Sequence, residues 1–160
     1  MELKRVVVTG MGAITPIGNT AQAYWEGLLN GVSGADKITL FDASKFKTQF
    51  ACEVKGFDPV AYFDRKEARK VDRFTQLALV SSDEAIKDAG ITKENINPDR
   101  VGVIFSSGIG GLLTFQEEVM AYAKGDGTPR FNPFFIPKMI LDIAAGHISM
   151  RHGLDRKSTR

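Results

Sequence analysis

The sequence predicts an α/β architecture with a largely parallel sheet. Three runs rich in β-branched and other apolar residues, at residues 6–8, 50–56 and 100–105, are typical of short strands. They alternate with longer stretches whose apolar residues recur at helical spacing. Strands that alternate with helices build parallel sheets. The 160 residues suffice for one domain with a substantial core.

The first predicted strand, Val6 to Val8, runs into a turn that contains Gly10 and Gly12. This spacing begins the G-x-G-x-x-G fingerprint, in which backbone amides at a helix N-terminus hold a dinucleotide pyrophosphate. Thr15 stands in place of the third glycine, and Pro16 favours extended backbone at Thr15, the residue that precedes it. No acidic residue ends a second strand at the expected distance. The match is therefore weak evidence for a nucleotide, and another explanation is needed for this turn.

Four segments predict helices: Ala21 to Leu29, Lys66 to Ala89, Phe115 to Ala123 and Lys138 to Met150. Asn19 or Thr20 is the expected cap of the first helix. The second helix has the strongest signal, and Gly90 follows it as a stop. The segment NPFFIP, residues 132–137, predicts an irregular apolar bend between the last two helices.

Composition excludes several classes of protein. The formal net charge of +2 gives no case for nucleic-acid binding. One cysteine excludes an internal disulfide framework and is compatible with the cytosol. The longest apolar runs fall far short of the ~20 residues that cross a bilayer, and the start has no signal-peptide pattern. The expectation is a soluble, cytoplasmic protein without a membrane partner.

No catalytic centre can be assembled from the residues alone. Cys52 lies within a predicted strand and not at a helix N-terminus, so we expect a small core residue there and not a nucleophile. His147 and His152 are five positions apart, which is off the i, i+4 register of paired ligands, and no cysteine is near them. A metal site is therefore not expected.

A basic cluster in the segment DRKEARKVDRF is more informative. Its four cations follow helical spacing at i, i+3, i+4 and i+7, which predicts one shared helix face: Lys66, Arg69, Lys70 and Arg73. Val71 and Phe74 would point the other way, toward a core. The face is either an ordinary solvated surface paired with Glu67 and Asp72, or a surface that attracts an acidic partner.

The segment SSGIGG, residues 106–111, follows the third predicted strand. Glycines at this point allow close approach of a ligand or of another backbone segment. Ile109 is the bulky residue of the run, and it suits a pocket wall as well as a plug of the core. The residues alone leave both interpretations open.

Five segments in register resemble the N-terminal part of a beta-ketoacyl-[acyl-carrier-protein] synthase, with the type II enzymes as the nearest match. They are RVVVTGMGAITPIGNT, DRKEARKVDRF, SSGIGGL, NPFFIP and AGHISMRHGL. The resemblance runs from about residue 4 to residue 154. It implies a thiolase-like fold, here an incomplete N-terminal half with a mixed, mainly parallel sheet and helices on both faces. It also implies that the first strand and its glycine turn are scaffold.

The resemblance further implies an acyltransferase of fatty-acid biosynthesis. Such an enzyme loads an acyl group from acyl carrier protein onto a cysteine and condenses it with malonyl carrier protein, losing carbon dioxide. The family uses two histidines and a lysine besides this cysteine, needs no metal or organic cofactor, and forms a homodimer. None of the four catalytic positions is matched here, so we expect residues 1–154 to be an incomplete half-domain and 155–160 a divergent, non-family tail. The chain alone is expected to be inactive.

Two sites are carried over by matching motifs. The resemblance implies an acyl pocket at Ile109, Phe135 and Ile136, and docking of acyl carrier protein at Lys66, Arg69 and Lys70. The alternative function is a non-catalytic binding or assembly module, similar to the nucleophile-lacking chain length factors of some polyketide systems.

Overall fold

A computed structural model of the protein describes residues 3–154, so the predicted tail at 155–160 lies outside the described residues. The chain divides into two compact units, residues 3–58 with 83–90, and residues 59–82 with 91–154. Two strands and six α-helices are described: β1 (Asp36–Lys37), β2 (Phe50–Ala51), α1 (Ala21–Leu29), α2 (Arg65–Lys70), α3 (Arg73–Asp88), α4 (Leu112–Lys124), α5 (Phe135–Met139) and α6 (Ile143–His152).

In the first unit, α1 has the predicted bounds. Thr20 is its N-cap, and the Thr20 hydroxyl accepts a hydrogen bond of 3.1 Å from the Ala23 amide. This bond satisfies one of the amide groups that a helix start leaves without a partner. The capping prediction is confirmed in favour of Thr20.

Carboxylates of α3 hold the glycine turn before α1. The Met11 amide donates to Asp88 at 2.8 Å, and the Ala13 and Ala21 amides donate to the two oxygens of Glu84 at 2.8 and 2.9 Å. A phosphate-binding loop directs such amides at its anionic ligand. Here protein carboxylates already occupy them, which supports the scaffold interpretation of the turn.

Gly10 is required by packing. A Cβ atom at this position would lie 2.4 Å from both the Ala85 carbonyl oxygen and the Ala89 nitrogen. Thr15 and Gly18 then close a tight turn, with the Thr15 amide donating to the Gly18 carbonyl at 2.8 Å. Both features are structural uses of the segment that carries the partial dinucleotide fingerprint.

The predicted strands are mostly not formed in residues 3–154. β1 and β2 pair antiparallel, with Asp36 opposite Ala51, and they form the sheet that the described residues contain. The predicted mainly parallel sheet is therefore not formed within residues 3–154. The prediction of a buried strand at residues 6–8 is wrong, because this segment has no strand or bridge and all three valines are exposed. Residues 100–105 contain an isolated bridge residue and one buried side chain, Val103. β-branched runs fit a pleated surface, but a strand forms only where a neighbour supplies hydrogen bonds.

Cys52 is exposed, so its prediction as a core residue is wrong. The physical reason is the short second strand: β2 ends at Ala51, and the residues after it are not held in a ladder. Residues 50–56 alternate in a way that predicted a longer strand, but within residues 3–154 the sheet has no third strand that could cover them.

The long predicted helix over residues 66–89 is two helices. Val71 separates α2 from α3 with extended backbone, at φ −119° and ψ 147°, and its side chain is buried. The Asp72 carboxylate then accepts from the Phe74 amide at 3.2 Å, as a residue at a helix start does. The free energy gained by burying the Val71 side chain offsets the cost of interrupting the helix.

The core of the second unit lies on α3 and α6. The buried apolar residues of these helices are Ala78, Leu79, Val80, Ala144, Ala145 and Ile148. The predicted last helix begins later than expected, because Ile140 adopts extended backbone between α5 and α6. Part of the predicted bend is helical, since Pro137 lies in the first turn of α5, where its missing amide costs nothing. No helix within residues 3–154 is both long and apolar enough to cross a bilayer.

Candidate functional site

The short helix α2 carries all three residues predicted for partner docking. Asp64 caps the helix, and its Oδ1 accepts from the amides of Lys66 and Glu67 at 2.7 and 2.8 Å. Lys66, Arg69 and Lys70 are all exposed. The predicted cationic face therefore exists on α2 for these three residues.

Arg73 is not part of that face. It begins α3, after the extended residue Val71, so the predicted i, i+3, i+4, i+7 series is interrupted before its last member. Val71 is buried as predicted, although it lies between helices. We name the surface formed by Lys66, Arg69 and Lys70 the basic face.

The acidic residues expected to neutralise the basic face have other partners. Glu67 Oε1 pairs with Arg151 Nη1 at 3.4 Å. Asp72 Oδ2 accepts a hydrogen bond of 2.5 Å from the Thr114 hydroxyl. Among residues 3–154, neither Lys66 nor Arg69 forms an ion pair, so their charges are directed to solvent.

Lys70 joins the basic face to an aromatic segment. Its Nζ lies 5.9 Å from the ring centroid of Phe134, a distance at which a cation is attracted by the face of the ring. Phe134 immediately precedes Phe135, a predicted pocket residue. The structure thus places the predicted docking and pocket segments side by side in the second unit.

The glycine loop around Ile109 packs directly against the end of α5. The Gly111 amide donates to the Met139 carbonyl at 3.2 Å, and a Cβ atom at Gly111 would lie 2.4 Å from the Lys138 carbonyl oxygen. Gly110 has a φ of +78°, a conformation that favours glycine. These glycines serve close approach between two backbone segments of the same chain.

The predicted pocket residues are carried by these two contacting segments. Phe135 stacks on Phe115 and Phe131 with ring centroids 6.1 and 5.7 Å apart. Ile109 and Ile136 are 65% and 52% exposed. The structure therefore brings the loop and α5 together and leaves two of the three side chains open to solvent.

The histidines lie on α6 and form no cluster with other ligand types. Burial lowers the pKa of His147 below its ordinary value, and the nearby charge of Glu67 partly opposes this shift. Within the described part of the chain, no three His, Cys, Asp or Glu side chains are grouped to hold a metal ion. Cys52 lies in the first unit, after β2.

Sequence reasoning missed Arg151. It contacts Glu67 across a separation of 84 positions, and its guanidinium lies 5.3 Å from the ring centroid of the buried Phe63. No spacing rule relates residues so far apart. The first unit also has an open groove of about 940 Å³ beside Trp25, for which the sequence carries no signal.

Comparisons with known proteins match almost the whole chain. A family model described as "Beta-ketoacyl synthase, N-terminal domain" matches residues 3–158. The 3-oxoacyl-[acyl-carrier-protein] synthase 2 of Synechocystis is 46% identical over 153 residues, which are 96% of this chain and 36% of the relative. The protein of the same name from Coxiella burnetii is 43% identical over 154 residues, 96% of this chain and 37% of the relative. The chain thus spans little more than a third of these relatives.

Solved structures also match nearly the whole chain and are themselves covered only in part. A ketosynthase/chain length factor for ishigamide superposes with a TM-score of 0.78 at 26% identity, over 96% of this chain and 38% of that one. A type II polyketide ketosynthase in complex with its acyl carrier protein gives 0.75 at 26% identity, over 98% and 41%. A beta-ketoacyl synthase from Burkholderia phymatum gives 0.76 at 26% identity, over 97% and 38%. The predicted thiolase-like fold class, as a partial N-terminal half, is confirmed.

Proposed function

The chain belongs to the beta-ketoacyl synthase family, and from this premise we propose that it is the N-terminal part of a 3-oxoacyl-[acyl-carrier-protein] synthase. The observation that carries the proposal is the 46% identity to the Synechocystis synthase over nearly the full chain. The reaction of the complete protein is decarboxylative condensation of an acyl thioester with malonyl carrier protein, in cytoplasmic fatty-acid elongation. Covalent catalysis on a cysteine divides this transfer into two easier steps.

The chain by itself is proposed to be inactive. A nucleophilic thiolate is stabilised by a helix N-terminus or by adjacent cations. Cys52, the one cysteine of the sequence, is exposed and follows a two-residue strand. The family resemblance assigns the nucleophile, two histidines and a lysine to positions that none of residues 1–160 matches.

The basic face is the proposed docking site for acyl carrier protein, which is acidic. Its support is the exposure of Lys66, Arg69 and Lys70 and the diversion of Glu67 and Asp72 to other partners. Complementary charge mainly accelerates association and selects the partner. One of the similar solved structures is a ketosynthase bound to its carrier protein, which agrees with a partner of this class.

Ile109, Phe135 and Ile136 are proposed to line the acyl pocket of the complete protein. Apolar walls suit a hydrocarbon chain, whose burial is favourable by roughly 0.8 kcal/mol per methylene. Support comes from the backbone contact between the Ile109 loop and α5. Apolar residues on α4 and α5 remain exposed, and we propose that this surface contributes to a homodimer: Leu112, Leu113, Phe115 and Ile136.

The second candidate function is a non-catalytic, chain-length-factor-like module. Its support is the superposition on a ketosynthase/chain length factor, with a TM-score of 0.78. Such a module would keep the docking surface and lack condensing chemistry. The two candidates differ in whether this segment supports catalysis when the nucleophile is supplied.

A chimeric enzyme tests the proposal. Residues 4–154 replace the matching segment of the Synechocystis synthase, which contributes the remaining catalytic parts. We expect condensation of acyl and malonyl carrier proteins at a rate within about tenfold of the parent rate. A tenfold difference corresponds to ~1.4 kcal/mol of activation free energy. A chimera that melts cooperatively but does not condense would favour the second candidate.

The 160-residue chain alone is the matched control. It is incubated with acyl carrier protein thioesters, and its intact mass is then measured. We expect no acyl adduct. A stoichiometric adduct, particularly on Cys52, would contradict the proposed inactivity.

A further inference from the structure

Arg151, near the end of α6, contacts α2 and a residue just before it. Its Nη1 lies 3.4 Å from Glu67 Oε1, in the middle of α2. Its guanidinium carbon lies 5.3 Å from the ring centroid of Phe63, which is buried and precedes the N-cap Asp64. One side chain thus contacts both α2 and the segment that leads into it.

The helix α2 depends on such contacts. It has six residues, and none of them is buried. Isolated helices of this length are not stable in water, so tertiary contacts must fix its position. Besides Arg151, the Gln76 side-chain amide donates to the Ala68 carbonyl at 2.9 Å, and Asp64 caps the first turn.

The charge of Glu67 is the second part of the argument. Glu67 is the acidic residue within RKEARK and follows Lys66 directly. An unpaired carboxylate there would repel an acidic partner that approaches the basic face. Arg151 neutralises it. Because the two side chains are 31% and 48% exposed, the pair adds little to global stability, and its effect is local.

We propose that Arg151 is a positioning residue for carrier-protein docking. It holds α2 against α6 and cancels the negative charge of Glu67, so that Lys66, Arg69 and Lys70 form an uninterrupted cationic surface. This inference rests on the proposed function, in which an acidic carrier protein docks on the basic face. Arg151 itself does not contact the carrier.

Hydrogen exchange of the 160-residue chain tests the structural half. Arg151→Met keeps an unbranched apolar stem and removes the guanidinium group with its charge. We expect faster amide exchange at residues 66–70 and unchanged exchange at residues 76–80 of α3. The matched control is Arg130→Met, which removes another exposed ion pair, with Asp126, and should leave α2 unaffected. Unchanged exchange at 66–70 in the Arg151 variant would overturn the hold of Arg151 on α2.

A double-mutant cycle tests the docking half. Binding of fluorescently labelled acyl carrier protein to the 160-residue chain is measured for Arg151→Met, Glu67→Gln and both together. We expect Arg151→Met to weaken binding about fivefold, the upper range for a partly exposed ion pair. In the Glu67→Gln background the same change should have no effect on affinity. Arg151→Lys, which keeps the charge, should recover part of the loss.

Two results separate this inference from the proposed function. An equal loss from Arg151→Met in both backgrounds would mean direct contact with the carrier and would overturn the positioning role. If the unmodified chain does not bind the carrier, or if Lys66→Met and Arg69→Met leave binding unchanged, the proposed docking site itself is wrong. Exchange at residues 66–70 then still decides whether Arg151 fixes α2.

Discussion

The Thr114 hydroxyl donates a hydrogen bond of 2.5 Å to Asp72 Oδ2, joining residues 42 positions apart. Thr114 is buried in the first turn of α4, and Asp72 lies in the break between α2 and α3. The other oxygen of Asp72 accepts from the Phe74 amide. This carboxylate therefore fixes both the start of α3 and the helix that follows the glycine loop.

We predict that Thr114→Val destabilises the chain by about 1–3 kcal/mol, because it leaves a part-buried carboxylate oxygen without its donor. Urea unfolding followed by circular dichroism measures the change. Thr48→Val is the control, since Thr48 is exposed and the substitution should stay within about 0.5 kcal/mol. Equal effects at the two positions would mean that the bond to Asp72 adds nothing to stability.

Gly111→Ala is predicted to push the glycine loop away from α5. The new Cβ would lie 2.4 Å from the Lys138 carbonyl oxygen, which is backbone and cannot move aside easily. Overpacking of this kind costs about 1–3 kcal/mol, measurable by the same urea unfolding. Gly108→Ala in the same loop is the control, because its Cβ would meet no atom within 4 Å. A tolerated Gly111→Ala would show that the loop does not need this contact.

Helix α1 and its cap were predictable because their signals are local. A capping threonine, an apolar periodicity and a following glycine all lie within about a dozen residues of each other. The same locality predicted the exposed cations of α2. No local signal predicts the extended conformation of Val71, whose side chain is buried.

The strands and part of the site depend on long-range partners. Val6 to Val8 have the composition of a strand, but composition does not specify a neighbour for hydrogen bonding. Motif matching placed Ile109 and Phe135 on two segments that the structure does bring into contact. The role of Arg151 could not be predicted from the sequence, because its partner Glu67 is 84 positions away.

The burial of His147 predicts a pH dependence of stability. Burial lowers the pKa of His147 in the folded chain, so the unfolded chain binds the proton more tightly. The free energy of unfolding is then unaffected by His147 above the ordinary histidine pKa of about 6.5. It decreases as the pH falls below this value, because the unfolded chain takes up the proton first. His147→Gln should flatten this decrease between about pH 7.5 and 5.5 in urea unfolding. A decrease of the same size in the variant would assign the effect to other groups.

Charge reversal on the basic face should slow reaction with carrier-bound substrates. In the chimera described above, we predict that Lys66→Glu with Arg69→Glu reduces the rate with acyl carrier protein severely. The rate with acyl-pantetheine should stay nearly unchanged, because this small thioester needs no docking surface. The unmodified rate with carrier protein should also fall as salt shortens the Debye length below ~10 Å.

Lys45→Glu with Lys47→Glu is the control for that experiment. It changes the net charge equally on two exposed residues of the first unit. We expect a far smaller effect on carrier-protein reaction than for the basic face. Equal losses from the two pairs would mean that overall charge matters and that the basic face is an ordinary solvated surface.

Ile109→Phe should discriminate between acyl chains by length. Ile109 is 65% exposed in this chain, so a larger side chain fits here without overpacking, and the chain should unfold at the same urea concentration. In the chimera the added ring would occupy volume proposed for the acyl group, and each methylene excluded forgoes roughly 0.8 kcal/mol. We therefore predict a greater loss of acyl-enzyme formation for long acyl groups than for short ones, measured by intact mass after a fixed time. Ile109→Val, which adds no volume, should load all lengths normally. A loss that is equal for every chain length would place Ile109 outside the acyl pocket.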